Sequence, residues 1–371
     1  MSSRRKKVVL SGYYGFNNCG DEGVLLAILQ ALRTLKPELD IIVLSGNPSQ
    51  TASDFGVRAV SRRNLLQIGQ SLLGAKLLIS GGGSLLQDVT SAKSPLYYLG
   101  IIALAQRLAK KTMIYAQGIG PLQLNKNRQK TVKILNKCDL ITLRDQGSAN
   151  ELATMGLTRS MTVVADPVLG LQLSKSEAQI GGDLLCELGI LNEGHRKSRP
   201  LLIVTLRTWK NNDFFDKIAT VLDQRVNEGW DVLFIPMHFP QDMQAITCTV
   251  NHMKQRSYCL GQQVSPKVFF SLIQQANQVL AMRLHGLIFA MAAGVPMVAL
   301  AYDPKVQAFM SQTGLDTCIA VEEFESGELL AAFRRLSDRS LRLTEHLEDR
   351  RKHLYNKAWE AAHLAVELLD S

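Results

Sequence analysis

Short apolar, β-branched runs alternate with longer stretches of helical period along most of the chain. In the first half the runs are Lys7 to Leu10, Ile41 to Leu44, Lys76 to Ile79, Thr112 to Tyr115, Leu140 to Thr142 and Met161 to Val164. Runs of this length that are apolar at consecutive positions belong to strands covered on both faces, the pattern of parallel βαβ units. The pattern weakens from Asp166-Pro167 to Pro200, where GGD at 181–183 and NEGHRKSRP at 192–200 read as irregular chain. A second series follows: Leu201 to Thr205, Asp231 to Ile235, Val279 to Ala281, Val298 to Ala301 and Cys318 to Val321. The expected class is therefore α/β. Two Rossmann-like, doubly wound domains are placed at residues 1–175 and 200–340, with a linker at 176–199. Residues 341–371 contain neither Gly nor Pro and are rich in Leu, Arg, Glu, Lys and Ala, so they should close the chain as one or two helices.

One long apolar stretch needs separate treatment. Leu284 to Tyr302 (LHGLIFAMAAGVPMVALAY) carries no Lys, Arg, Asp or Glu, but Gly294-Val295-Pro296 interrupts it. It reads as a buried helix, a turn and a buried strand rather than a membrane span. The basic start MSSRRKK is followed only by Val8-Val9-Leu10 before Ser11 and Gly12, too short for a signal-peptide core. Six scattered cysteines without a CxxC pair point to neither a zinc site nor a disulfide framework. A cytoplasmic setting, with no metal, is expected.

Forty-two Lys and Arg against thirty-three Asp and Glu give a net charge of +9, while 46% hydrophobic and 20% charged residues exclude a disordered chain. The positive excess favours anionic metabolites or an anionic lipid surface. Nucleic acid is disfavoured, because only three Trp are present and no stripe of basic and aromatic residues appears. Between Leu122 and Cys138 stand Lys126, Arg128, Lys130, Lys133 and Lys137 with no acid. This segment reads either as a solvated helix face or as a contact for a lipid pyrophosphate or the inner face of the plasma membrane.

Candidate chemistry gathers after the strands. The first runs into SGYYGFNNCGDEG, where Gly12, Gly15, Gly20 and Gly23 surround Asn17, Asn18, Asp21 and Glu22 before a helix. Free N–H groups at such a turn suit a phosphate or a polyhydroxylated ligand, and a capped βα turn is the alternative. The spacing is neither GxGxxG nor a Walker A loop, so a dinucleotide or an ATPase is disfavoured. Gly81-Gly82-Gly83 follows another strand, with Gln87 and Asp88 able to bind hydroxyls, and Gln117-Gly118-Ile119-Gly120-Pro121 follows the next. Arg144-Asp145 closes a further strand, with Arg144 expected to point from its carboxyl end into a cleft. In the second series Arg207 follows LLIVTL, His238 ends Pro236-Met237-His238, and Arg283, Leu284 and His285 head an apolar helix. Lys305 lies in Tyr302-Asp303-Pro304-Lys305-Val306. Cationic and titratable groups on adjacent strand ends make an anion pocket.

Taken in order, GYYGFNNCGDEG, SGGGSLLQD, QGIGP, LRD with Ser148, DPV, RLHGLIFA, GVP and YDPKV resemble the polysaccharide pyruvyl transferases, and within them the CsaB-type enzymes of bacterial cell-wall glycans. The resemblance implies a GT-B-like pair of domains facing a cleft. It also implies transfer of pyruvate from phosphoenolpyruvate onto a sugar diol as a cyclic ketal, with phosphate released. Carried over by position, Arg144, His285 and Lys305 match the catalytic residues, while Arg207 and Arg283, with Leu284, match the donor anchors. The acceptor glycan, carried on a polyprenyl diphosphate, is expected against Gly15, Asn17, Asp21, Glu22, Gly82, Gly83, Gln87, Asp88 and Gln117. One departure is Gly286, where Ala is expected, and it should loosen the helix start.

Such chemistry needs no cofactor beyond the donor substrate. Phosphoenolpyruvate carries a carboxylate and a phosphate on one small frame, which Arg forks grip bidentately. Its methylene carbon must be protonated before C2 becomes electrophilic, so an acid titrating near working pH is required, and His285 fits as that acid or as the base for the attacking hydroxyl. Two other readings stay open on sequence: a nucleotide-sugar glycosyltransferase of the same architecture, and a non-catalytic binder of acidic glycans.

Overall fold

The computed structural model describes residues 6–89, 91–192, 194–195, 198–210, 214–322, 324–338 and 340–371. Most of the basic start and part of the 192–200 segment lie outside the described residues. The chain divides into two compact units: unit 1 is Met1–Leu171 with Leu354–Ser371, and unit 2 is Gln172–His353.

Unit 1 runs β1 (Lys7–Ser11), α1 (Cys19–Leu35), β2 (Asp40–Ser45), α2 (Pro48–Phe55), β3 (Arg58–Ser61), α3 (Leu65–Leu73), β4 (Leu77–Gly81), α4 (Ser94–Arg107), β5 (Lys111–Gln117), α5 (Asn125–Leu135), β6 (Leu140–Leu143), α6 (Gln146–Thr154) and β7 (Thr162–Val163). All strand pairs are parallel, in the order β3-β2-β1-β4-β5-β6-β7. Val9, Ile42, Leu44, Leu78 and Ile114 form one core with Ile68 of α3, Leu99 of α4 and Leu135 of α5, which places these three helices on the same face of the sheet.

Unit 2 repeats the plan with α7 (Lys175–Glu187), β8 (Leu201–Thr205), α8 (Phe215–Asn227), β9 (Asp231–Phe234), α9 (Met243–His252), β10 (Tyr258–Cys259), α10 (Pro266–Gln275), β11 (Gln278–Ala281), α11 (Leu284–Ala293), β12 (Met297–Ala301), α12 (Pro304–Thr313), β13 (Cys318–Ala320) and α13 (Ser326–Asp338). Its sheet order is β10-β9-β8-β11-β12-β13, again all parallel. Both sheets therefore carry the doubly wound 3-2-1-4-5-6 order. The long apolar stretch forms α11, a left-handed cap at Gly294 with φ 70°, and β12, and no helix among the described residues is long and apolar enough to cross a membrane.

One segment differs from the sequence expectation, and the C-terminal one, which forms a helix as expected, joins a unit the sequence did not indicate. The stretch assigned to a linker at 176–199 holds most of α7, opened by a capping box of Ser174 and Glu177. Its GG pair serves close helix packing rather than flexibility: the Gly181 amide donates to Ser271 Oγ at 2.7 Å, and a Cβ there would come within 2.6 Å of the α10 backbone. The C-terminal residues form one helix, α14 (Ser340–Asp370), whose last turns belong to unit 1. There Trp359 Nε1 donates to Gly170 O at 3.1 Å, Lys111 Nζ donates to Leu368 O at 2.9 Å, and Lys6 and Lys36 both pair with Asp370. The contacts of Lys6 and Lys111 lie at the amino end of the unit 1 sheet, where β1 and β5 begin.

Candidate active site

In doubly wound sheets the winding reverses between the first and fourth strands in the order, and ligands collect outside the carboxyl ends there. In unit 1 that point is β1 and β4; in unit 2 it is β8 and β11. Part of the sequence-predicted set lies at or beside these two places, and part does not.

In unit 1 the β1–α1 loop folds back as a cradle. Gly15 has φ 78° and lies on the end of β2, where a Cβ would come within 2.2 Å of Ser45 Oγ; Asn17 has φ 59° and is exposed. Asn18 caps α1 by accepting from the Gly20 amide at 3.1 Å. Glu22 is buried, and its Oε1 accepts from the Gly15 and Phe16 amides at 2.7 and 3.3 Å. Burial pushes the Glu22 carboxyl up to about 7 against the pull of those two bonds. Gly82 has φ 61° and packs so tightly on Val24 of α1 that any side chain would overlap it, and the Asp21 carboxylate lies over Gly83. Gly15, Asn17, Asp21, Glu22, Gly82 and Gly83 thus gather around one switch point.

Gln87, Asp88 and Gln117 do not join them. Asp88 accepts from the Gln123 and Leu124 amides at 2.7 and 3.1 Å and from Asn127 at 3.0 Å, so it fixes the entry to α5. Against the upward push of burial, these bonds hold its carboxyl below the usual range. Gln87 Oε1 accepts from the Val89 amide at 2.9 Å. Gln117 is fully buried and donates to Ser80 O and Oγ at 3.0 and 2.8 Å. The reason is a register shift between Ile114 and Gln117, with Ala116 at φ 46°, which re-aims the strand end. Arg144, expected to project outward, has a side chain only 5% exposed. Its guanidinium lies on Gly118, donates to Ser84 Oγ at 3.0 Å and pairs with Asp145 and Asp166 at 3.3 and 3.5 Å. It ties the ends of β4, β5 and β6 together, and Ser148 adds a bond from the Ile119 amide at 2.9 Å.

Sequence reading missed an aromatic shelf beside the cradle. Tyr13 and Phe16 stack at 4.3 Å, and the Arg62 guanidinium lies 4.1 Å over the Tyr97 ring and within 5.3 Å of Phe16 and Tyr98. The signal was faint, because Arg62 follows a short edge strand and Tyr97 and Tyr98 sit on α4. Burial raises Tyr98 to about 12, with Arg62 opposing and Asp21 adding to the rise.

In unit 2, Arg207 leaves β8 and its Nη1 donates to Tyr302 Oη at 2.9 Å, with the guanidinium 4.6 Å over the Tyr302 ring and 5.9 Å from Trp209. Arg283, the N-cap position of α11, is forked onto Asp242 through Nε and Nη2. Asp242 is buried, and its Oδ2 also accepts from the Met237 and His238 amides at 3.1 and 2.9 Å. Leu284 and His285 open α11, both half-buried, with the His285 Nε2 atom buried. Lys305 stands in the first turn of α12, capped by Asp303 accepting from its amide at 2.9 Å. Arg207, Arg283, His285 and Lys305 thus occupy the carboxyl ends of β8, β11 and β12, which are neighbours in the sheet. Gly286 does not loosen the helix start: a Cβ there would meet Thr205 Oγ1 at 2.8 Å and Ala281 Cβ at 3.1 Å, so its absence lets α11 sit against β8. Among the described residues, no three His, Cys, Asp or Glu side chains gather as metal ligands would.

The family model for polysaccharide pyruvyl transferase matches residues 18–304, from the Asn18 cap through the head of α12. The chain belongs to the polysaccharide pyruvyl transferase family. No curated protein matches it in sequence. Among solved structures this family member resembles Anabaena Alr3699/HepE in complex with UDP-glucose, with TM-score 0.66 and 12% identity, covering 98% of this chain and 99% of that one. It also resembles UDP-GlcNAc 2-epimerase from Neisseria meningitidis bound to UDP-GlcNAc (TM-score 0.64, 12% identity, 98% and 99% covered) and E. coli ADP-heptose lps heptosyltransferase II (TM-score 0.52, 14% identity, 89% and 98% covered). At such identities the likeness establishes the fold, a GT-B-like pair of Rossmann-like domains, and leaves chemistry to the residues. The transferase is therefore read from its own strand ends.

Proposed function

We propose that this transferase moves pyruvate from phosphoenolpyruvate onto a sugar diol of a cell-wall or cell-surface glycan precursor, as CsaB-type enzymes do, the acceptor being carried on a polyprenyl diphosphate. The observation that supports this most is the set of cations on adjacent strand ends of unit 2: Arg207 and Arg283 within the span matched by the family, with His285, and Lys305 directly after that span. Arg207 and Arg283 take the donor's carboxylate and phosphate, and Leu284 packs against its three-carbon frame. The fork onto Asp242 fixes Arg283, so little order has to be gained when the donor binds. His285 protonates the methylene carbon, which becomes the ketal methyl group. C2 then takes one sugar hydroxyl as a new C–O bond, its bond to the phosphate oxygen breaks, and the second hydroxyl closes the ring. Of the two hydroxyl protons released, one balances the proton given to the methylene and the other leaves with phosphate. Lys305 stabilises the departing phosphate. On the acceptor side, the sugar lies against the Gly15 and Gly82-Gly83 loops, the Tyr13–Phe16 stack offers a face to a sugar ring, and Arg144 steadies the segment after Gly83 through Ser84.

The test is a donor screen with the glycan present. Phosphate release from phosphoenolpyruvate, lost by about a hundredfold in His285→Ala, is the expected result. Consumption of UDP- or GDP-sugars instead would overturn the reading in favour of glycosyl transfer. Glycan binding that survives in His285→Ala, with no phosphate released by the wild type, would reduce the protein to a binder.

A further inference from the structure

The positive charge of this chain is not spread evenly. Between Phe55 and Cys138 stand thirteen Lys and Arg and a single acid, Asp88, whereas the whole chain carries +9, so everything outside that stretch is slightly acidic. The stretch spans β3 to α5, and its one acid is buried and occupied by the Gln123 and Leu124 amides and Asn127. Its own exposed charges are therefore all cationic, and acids from outside it pair with two of them, Asp40 with Arg58 and Glu151 with Arg128.

The same stretch breaks the rule that large aliphatic side chains are covered. Of the six large hydrophobic residues exposed among the described residues, five belong to it, Ile180 being the sixth. Four stand where the chain leaves β3, β4 and β5 for the helices on one face of the sheet: Leu65 and Leu66 are 69% and 80% exposed, Val89 is 59% and Leu124 48%. Exposed Arg63, Lys93 and Lys126 flank them. β3 and β5 are four places apart in the sheet order, so the rim extends about 19 Å along the carboxyl edge. Scattered single leucines on a surface mean nothing, but aliphatic tips on one rim, set among an excess of cations, form an interfacial surface.

We propose that this rim docks the protein on an anionic bilayer surface, with Leu65, Leu66, Val89 and Leu124 entering the acyl boundary and the basic residues lying among the headgroups. Charge decides the occupant. A second copy of the chain would set the same cations against themselves, and a nucleic acid would be met by stacking aromatics rather than by protruding aliphatics. The inference goes beyond the transfer reaction, because vesicle binding is measured without donor or acceptor and stands or falls apart from it.

The experiment is co-sedimentation of the full chain with vesicles of phosphatidylcholine and phosphatidylglycerol in equal parts, beside pure phosphatidylcholine, at low and high salt. The wild type should sediment with the anionic vesicles, stay in solution with the neutral ones, and be released by salt. Leu65→Ser with Leu66→Ser should weaken binding about tenfold or more, as should Lys126→Glu with Lys130→Glu, both variants keeping the wild-type unfolding transition because these side chains are exposed. A wild type that stays in solution with anionic vesicles at low salt overturns the proposal. So does a double-serine variant that binds as the wild type does. A wild-type dimer in light scattering that the double-serine change dissociates would assign the rim to a second copy and equally overturn it.

Discussion

Arg283, the donor anchor of the proposed reaction, shows how a fixed cation is made from two distant parts of the chain. Sequence marks it through RLHGLIFA, but its partner Asp242 lies forty-one residues earlier and carries no motif of its own, so the pair becomes visible only when β9 and β11 flank β8. A buried carboxylate stripped of its cation is costly, so Arg283→Ala should lower the stability of unit 2 by about 3–5 kcal/mol, read from its urea midpoint. Arg283→Lys keeps the charge and loses the fork, and should raise the donor KM about tenfold with a smaller effect on stability. An unchanged KM in the lysine variant would remove Arg283 from the donor site. Glu22 makes a second case. It was legible as a polar residue of the cradle, but its burial was not. Its carboxyl titrates near 7 in the folded protein against about 4.3 in the unfolded chain, so the folded state holds the proton more tightly. The stability this gives is fully present below the unfolded value and is lost as pH rises through 7, about 4 kcal/mol in all. Glu22→Gln should abolish that slope between acid and neutral pH, as read from denaturant midpoints across the range. A slope that persists in the variant would place its source elsewhere.

At the level of elements, the interior strands were legible because both faces are covered, which leaves Val, Ile and Leu at consecutive positions. The edges were not. β3 reads RAVS with no buried residue and β10 is only Tyr258–Cys259, so neither produces an apolar run, although both complete the 3-2-1-4 order that defines the switch points. Gln117 was misplaced for a related reason: alternation along a strand predicts facing only until a bulge intervenes, and nothing in YAQGIGP announces Ala116 at positive φ. The glycines of GGG and of α11 announced close approach without saying to what. Gly286 now has an answer in Thr205, and Gly286→Ala should destabilise unit 2 by about 1–3 kcal/mol despite the better helix propensity of Ala. Adding Thr205→Ala should recover most of that loss in the same thermal unfolding measurement. A single variant as stable as the wild type would show that α11 can move off β8.

The whole molecule was legible as two doubly wound halves but not in its division. Residues 176–199 looked irregular because α7 is short of apolar residues, since it packs through small residues on α10. The C-terminal helix gave no sign that its last turns return to unit 1, where Trp359 and Asp370 meet Gly170, Lys6 and Lys36. Trp359→Ala should therefore lower the unfolding midpoint of unit 1 and leave that of unit 2 in place, as resolved by hydrogen exchange across the two sheets. An equal loss in both would contradict the division. The residues of the proposed site were distributed differently: the cationic strand ends stood in motifs, whereas the shelf of Tyr13, Phe16 and Arg62 exists only because β1 and β3 end where α4 begins. The central claim is that this protein builds a pyruvyl ketal. It is tested most directly by incubating it with isotope-labelled phosphoenolpyruvate and lipid-linked glycan acceptors, then analysing the acceptors by mass and NMR. The account predicts an acceptor carrying the labelled carbons as a cyclic ketal, with one phosphate released for each. An unlabelled acceptor, or one that has instead gained a sugar from a nucleotide donor, would contradict it.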